Sequence, residues 1–170
     1  NGYPVAALAG RADVMDRFNT RLEGDVHFGG TFNGNAFSMV ACLATIEALE
    51  ADGGAIHKRL YSMGERMRVG LDAIVERLGI TARPTSFGSV FVCYFTDREV
   101  LSFDDALTSD PEMYVEFHRG MTNRGFYMLP LNLKRNHLTA AHTMEDVDNA
   151  LAAADEVLTG LAARSGRKPG

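Results

Sequence analysis

His-Phe-Gly-Gly-Thr-Phe-Asn-Gly-Asn, from His27 to Asn35, is the most informative stretch of this sequence. Glycines and asparagines surround one hydroxyl, that of Thr31, and an apolar helical pattern follows from Ala36. Glycine lets a backbone turn sharply and approach a ligand closely. The N-terminus of the following helix offers unpaired N–H groups and the positive end of its dipole. The combination suits an anion such as a phosphate, although a glycine-rich turn before a helix is also a common structural feature.

The bulk composition is that of an ordinary globular protein. The 170 residues, 46% hydrophobic and 23% charged, are enough for one domain or for part of a larger one. A net charge of −5 argues against nucleic acid as a partner. The sequence shows neither a membrane-spanning run nor a signal peptide. Cys42 and Cys93 are isolated in apolar runs, which favours buried free thiols over a disulfide and predicts a cytoplasmic protein.

Helix and strand patterns alternate along the chain, which predicts an α/β or α+β fold. In the first third we expect a buried strand at residues 5–10, a short helix at 11–18 and a helix at 36–51. That last helix is apolar on most of its circumference, which predicts burial. Asp52-Gly53-Gly54 should end it, and a second helix should run over residues 55–78 with one apolar face.

The rest of the chain mixes strands and helices. Residues 89–95 are β-branched and aromatic, which predicts a strand, and a shorter strand is expected at 126–129. Asp110-Pro111 should open a helix that runs to about residue 123. Thr143 should cap the last helix, which carries acids in its first turn and an inner apolar stripe.

Three segments, taken together and in order, resemble one family. The first is residues 2–11, Gly-Tyr-Pro-Val-Ala-Ala-Leu-Ala-Gly-Arg. The second is residues 30–35, Gly-Thr-Phe-Asn-Gly-Asn, with the helix behind it. The third is Leu129-Pro130 followed by residues 138–143, Leu-Thr-Ala-Ala-His-Thr. They are similar to the C-terminal part of the class III pyridoxal-phosphate aminotransferases, and most similar to the glutamate-1-semialdehyde 2,1-aminomutases.

The resemblance implies an α/β fold, that of the fold-type I pyridoxal-phosphate-dependent transferases. Residues 1–53 would end the large cofactor domain, and residues 54–170 would form the small α+β C-terminal domain. It also implies a homodimer with shared active sites, in which Gly30 and Thr31 reach the phosphate of pyridoxal 5'-phosphate in the other subunit. The activity implied is amino transfer between an amino acid or amine and a keto acid or aldehyde. An intramolecular aminomutase and a non-catalytic homologue or dimerisation module are the alternatives.

The resemblance also implies that the Schiff-base lysine lies a few residues before Asn1. Lys58, Lys134 and Lys168 are the only lysines present, and none has the expected context. We therefore expect no catalytic residue in this sequence, which begins without a methionine and reads as a piece of a longer polypeptide.

Lys134 and Arg135 follow Pro130 in the loop where the aminomutases carry Phe-Glu-Ala-Gly-Phe. A lysine in place of the acid argues against aminomutase activity and suggests a substrate carboxylate, which an arginine can bind through two parallel hydrogen bonds. Two solvated loop cations are the alternative. We expect His142 to be structural and Asn35 to be a helix N-cap, and the histidines and acids show no spacing that indicates a metal site.

Overall fold

A computed structural model describes residues 3–165, which fall into two compact units, one up to Gly54 and one from Ala55. Lys168 lies outside the described residues. The elements are α1 (Ala12–Met15), 3-10 turns at Asp16–Phe18 and Thr20–Leu22, α2 (Ala36–Leu78), β1 (Arg83–Phe87), β2 (Val90–Tyr94), α3 (Phe103–Ala106), α4 (Pro111–Thr122), β3 (Asn136–His137) and α5 (Met144–Ser165).

Helix α2 is interrupted where the sequence predicted an end. Asp52, Gly53 and Gly54 have φ values of 52°, 62° and 75°, in the left-handed region. Glycine enters this region without a steric penalty because it has no Cβ. Helix α2 therefore consists of two helical runs, residues 36–50 and residues 55–78, in agreement with the two predicted helices.

The first unit differs from the sequence prediction in two ways. Residues 5–10 form no strand, because the first unit contains no other described strand with which they could pair. The helical run over residues 36–50 is formed but is not buried. Phe37 and Val40 are 74% and 67% exposed, and Ser38 is the only buried residue described in this unit. Apolar periodicity identifies the face that can be covered, and no described residue of this unit covers it.

The core of the second unit lies between the helical run 55–78, the helices α4 and α5, and the sheet. Predicted inner positions of the run and of α5 are buried, among them Met63, Leu71, Val147 and Leu158. These two apolar faces follow helical spacing, so the sequence identifies them correctly. The buried core side chains of this unit include Met67, Ile74, Val75, Phe91, Phe95, Tyr114, Phe117, Met121, Leu151, Ala154 and Leu161.

The sheet is antiparallel and has the order β1-β2-β3. Phe87 pairs with Val90, which leaves Gly88 and Ser89 as a two-residue turn, with Gly88 at φ 59°. Strand β2 confirms the strand predicted at 89–95. Strand β1 was not predicted, because it contains Pro84; its position at the edge of the sheet tolerates a proline.

The strand predicted at residues 126–129 is wrong, because this segment joins no ladder. Its Leu129 N–H donates instead to Asn136 Oδ1 at 3.1 Å. Asn136 belongs to β3, whose two paired residues were too short a signal to be predicted. The aromatic and apolar side chains of this segment pack without strand pairing: Met128 is buried and Phe126 is half-buried.

Helices α4 and α5 both begin where the sequence predicts, and each has a side-chain cap, of which that of Thr143 was predicted. Asp110 Oδ1 accepts from the N–H groups of Glu112 and Met113 at 2.9 and 3.0 Å. Thr143 Oγ accepts from Asp146 N at 3.1 Å, while Asp146 Oδ2 accepts from Thr143 N at 2.7 Å. The second arrangement is a reciprocal capping box that fixes the start of α5.

Candidate functional site

The glycine loop of the first unit is a pair of turns that ends in a helix cap. Asn33 N donates to Gly30 O at 3.0 Å, and Asn35 N donates to Phe32 O at 3.1 Å. Asn35 Oδ1 then accepts from Ser38 N at 3.1 Å, so Asn35 is the N-cap, as predicted. Upstream, Arg17 and Asp25 form a bidentate ion pair with distances of 2.7 and 2.5 Å, which closes the preceding loop.

Thr31 is exposed at the tip of this loop, and within residues 3–165 its hydroxyl makes no hydrogen bond. The structural alternative, a threonine bonded to its own backbone, is therefore not what the chain adopts. The backbone N–H groups of Thr31 and Phe32 are also without partners among the described residues. A Cβ on Gly30 would lie 3.0 Å from Asn33 Oδ1, so a side chain at this position would press on the turn. A free hydroxyl and free amides form a donor set that fits an anion.

Lys134 and Arg135 belong to the second unit, in the loop between residue 129 and β3. Lys134 N donates to Leu131 O at 3.0 Å, which makes a tight turn and leaves the lysine side chain exposed. The guanidinium of Arg135 is exposed and makes neither an ion pair nor a hydrogen bond within the described part of the chain. Both cations are therefore free to meet a ligand.

A cavity of about 670 Å³ lies wholly within the second unit, and sequence reasoning did not find it. Its apolar walls include Met67, Leu71, Phe117, Met121, Val147 and Ala150. Arg135, Asn136, His142 and Asp146 are among its polar lining residues, whereas Lys134 does not line it. The structure therefore distinguishes the two neighbouring cations, because only Arg135 borders this partly open, mainly apolar cavity.

His142 is anchored by its ring. Its Nδ1 accepts from Thr139 N at 2.9 Å and lies 3.0 Å from Thr139 Oγ. Because the backbone N–H can only donate, Nδ1 is the unprotonated nitrogen and the proton of the neutral ring is on Nε2. The contacts with Thr139 agree with the predicted structural role of His142, which stays a prediction, and the ring also lines the cavity.

Burial changes the chemistry of two other groups in this unit. It raises the pKa of the Cys93 thiol to about 12. It also raises the pKa of Tyr114, whose hydroxyl donates to Leu129 O at 2.8 Å. Cys42 and Cys93 are both free thiols, as predicted, although Cys42 is only half-buried. No group of three or more potential metal ligands occurs among residues 3–165, and no helix described there is long and apolar enough to span a bilayer.

Comparison with known proteins finds that the chain is similar to enzymes named glutamate-1-semialdehyde 2,1-aminomutase. It is 37% identical over 160 residues to a glutamate-1-semialdehyde 2,1-aminomutase of Desulforapulum autotrophicum, a match that covers 94% of this chain and 36% of that protein. A glutamate-1-semialdehyde 2,1-aminomutase of Thermus thermophilus is also 37% identical, over 157 residues, which cover 92% of the chain and 36% of the relative. The chain thus spans about a third of the length of these relatives. No family model matches it.

Solved structures agree with the sequence matches. A β-phenylalanine aminotransferase of Variovorax paradoxus aligns with a TM-score of 0.78 and 29% identity, over 91% of this chain and 35% of that one. An omega-transaminase of Sphaerobacter thermophilus aligns with a TM-score of 0.74 and 25% identity, over 91% and 34%. The predicted fold class is confirmed for the part of the fold that this chain spans.

Proposed function

We propose that the protein containing this chain is a pyridoxal-phosphate-dependent aminotransferase of class III. The similarity of the chain to aminomutases and transaminases supports this. Residues 1–53 would end its large cofactor domain, and residues 54–170 would be its small C-terminal domain. Such an enzyme moves an amino group between an amino acid or amine and a keto acid or aldehyde. The free donor set at Gly30 and Thr31 is the observation that carries it, since the phosphate of the cofactor is the anion that such a site would hold.

The cofactor, when bound, supplies an electron sink for the bond-breaking step, and the protein supplies binding and orientation. Thr31 would donate its hydroxyl proton to a phosphate oxygen, and the free N–H groups beside it would donate along the turn. Gly30 would keep this approach open, because a Cβ there would crowd Asn33. The lysine that binds the cofactor covalently and moves the substrate proton would precede Asn1.

We propose that the active enzyme is a homodimer in which Thr31 binds the phosphate of the cofactor held by the partner subunit. The exposed apolar face of helical run 36–50 supports this, because Phe37, Val40 and Leu43 are more than half exposed. A contiguous apolar face of this kind is typical of a surface that another protein surface covers. The free thiols support a cytoplasmic location.

Lys134 and Arg135 are proposed to bind the carboxylate of a small amino or keto substrate. Both side chains are exposed, and neither cation has a partner among the described residues. Arginine matches a carboxylate with two parallel donors, so Arg135 would position the substrate and Lys134 would add charge.

Intramolecular amino transfer is the second candidate, because the two relatives above carry the name of an aminomutase. The lysine at position 134, where the resemblance leads us to expect an acid, favours the first candidate. The two differ in their need for a second substrate: only the transaminase requires a separate amino acceptor.

Absorption of the purified full-length protein tests the proposal. A lysine-bound cofactor should give an absorption band at about 410–430 nm, and adding an amino donor should remove it. Consumption of one donor for each acceptor converted supports the transaminase, whereas isomerisation of a single substrate supports the aminomutase. A protein that lacks this band after incubation with pyridoxal 5'-phosphate and removal of the unbound cofactor would show that the proposed activity is wrong.

A further inference from the structure

The cavity of the second unit combines a large apolar volume with one free positive charge. At about 670 Å³ it has the size of a site for a small organic ligand. Arg135 is the only lysine or arginine that lines it, and its guanidinium has no partner among the described residues. An unpaired arginine beside apolar walls is complementary to a molecule with an anionic head and an apolar tail.

The other polar groups around the cavity leave this charge available. Asp146 also lines it, but its Oδ2 already accepts from Thr143 N and Thr143 Oγ at 2.7 and 2.8 Å. His142 Nδ1 accepts from Thr139 N, so Nε2 is the ring nitrogen that can donate to a ligand. Asp146 stays ionised, because the hydrogen bonds from Thr143 lower its pKa, but it forms no ion pair with Arg135 among the described residues and so leaves the guanidinium open to an anion.

One buried group in the lining of the cavity also lacks a partner. Asn136 is 7% exposed; its Oδ1 accepts from Leu129 N, its side chain also interacts with the Tyr114 hydroxyl, and its Nδ2 completes no well-formed hydrogen bond within the described chain. Buried amide donors are normally satisfied, so an unsatisfied one is expected where a ligand or a water completes the site. Asn136 and Arg135 both line this cavity, so the buried amide and the free guanidinium border the same space.

We infer that this cavity receives the apolar side chain of the substrate while Arg135 holds its carboxylate, so that the preferred substrates are monocarboxylates with an extended apolar tail. The inference rests on the proposed function, because it makes the cavity part of the substrate site. The walls select the tail through burial of apolar surface, which favours each added methylene. A substrate with a second carboxylate would bring an unpaired charge against Met67, Phe117 and Met121, which is costly.

The first test compares 2-oxo acids as amino acceptors of the full-length holoenzyme. From pyruvate to 2-oxohexanoate, kcat/KM should rise by a factor of about four for each methylene. Ala150→Leu, which extends a side chain from the cavity wall on α5, should lower the ratio of kcat/KM for 2-oxohexanoate over pyruvate by about tenfold or more. Ala152→Leu makes the same change at an exposed position of the same helix and should keep the ratio. Values of kcat/KM that stay flat or fall with chain length would overturn the inference.

A binding measurement separates failure of the inference from failure of the proposed function. Hexanoate, which cannot accept an amino group, is titrated calorimetrically into the full-length protein, with acetate as the short control. We expect hexanoate to bind at least tenfold more tightly than acetate, and Arg135→Ala and Ala150→Leu each to weaken it by about tenfold. An active transaminase that does not prefer hexanoate contradicts the cavity assignment alone. A protein that binds hexanoate in this way but transfers no amino group contradicts the proposed activity.

Discussion

Replacing Gly64 with alanine should disrupt the second unit, because the helical run 55–78 lies against the β1–β2 turn at this residue. A Cβ on Gly64 would lie 1.8 Å from the carbonyl oxygen of Gly88 and 3.1 Å from its carbonyl carbon. Both atoms belong to the backbone, so the turn as a whole would have to move. Overpacking of this kind costs about 1–3 kcal/mol of folding stability. Because the contact is so short, we expect a cost of about 3 kcal/mol. The gain of about 1 kcal/mol from replacing glycine in a helix offsets part of it. We expect a net loss of about 2 kcal/mol.

The same substitution at Gly160 on α5 is the matched control. No atom lies within 4 Å of a Cβ built there, so only the helical preference of alanine should act. Gly160→Ala should therefore stabilise the protein by about 0.5–1 kcal/mol.

Urea unfolding of the full-length protein and amide exchange of the ladder between β1 and β2 measure both variants. Gly64→Ala should speed exchange of the ladder amides by about 30-fold, the equivalent of 2 kcal/mol, whereas Gly160→Ala should not. Equal effects of the two variants would refute the close approach of helix and turn.

Further predictions concern the core, the last helix and the thiols. Phe117→Ala should cost about 3–5 kcal/mol in urea unfolding, because this ring is 1% exposed and packs edge-on against another aromatic ring; a loss below 1 kcal/mol would contradict this packing. Thr143→Ala should cost about 0.5–2 kcal/mol through loss of the cap on α5. Hydrogen bonds from Thr143 hold the pKa of Asp146 below its usual value, so the stabilisation by this carboxylate is present at neutral pH and lost as pH falls through that lowered pKa. Asp146→Asn should therefore lower the urea midpoint at pH 7 more than at pH 3. At pH 8 a thiol reagent should modify half-buried Cys42 but spare Cys93, whose pKa of about 12 keeps it protonated; rapid native modification of both would contradict this burial.

The predictions that proved correct depend on residues that are close together in the sequence. Asn35, Asp110 and Thr143 are caps whose partners lie two or three residues away, so the sequence alone contains the whole interaction. The apolar faces of run 55–78 and of α5 follow helical spacing and are buried as expected.

Features that depend on distant partners were missed. The helical run 36–50 has the predicted apolar residues, yet periodicity does not say whether anything covers them, and Phe37 is exposed. Strand β1 contains Pro84 and gains its identity only from pairing with β2. The cavity brings together residues from 67 to 154, which no local pattern relates.

The affinity for pyridoxal 5'-phosphate tests the central claim, that Thr31 holds the phosphate of the cofactor. Thr31→Val removes the hydroxyl with little change in shape, and Thr81→Val is the control, since Thr81 is also exposed and also makes no hydrogen bond within residues 3–165. A hydrogen bond to a charged group contributes about 1.5–3 kcal/mol, so the Kd of the full-length protein for the cofactor should rise about 10- to 150-fold for Thr31→Val alone. An unchanged Kd for Thr31→Val would contradict the account.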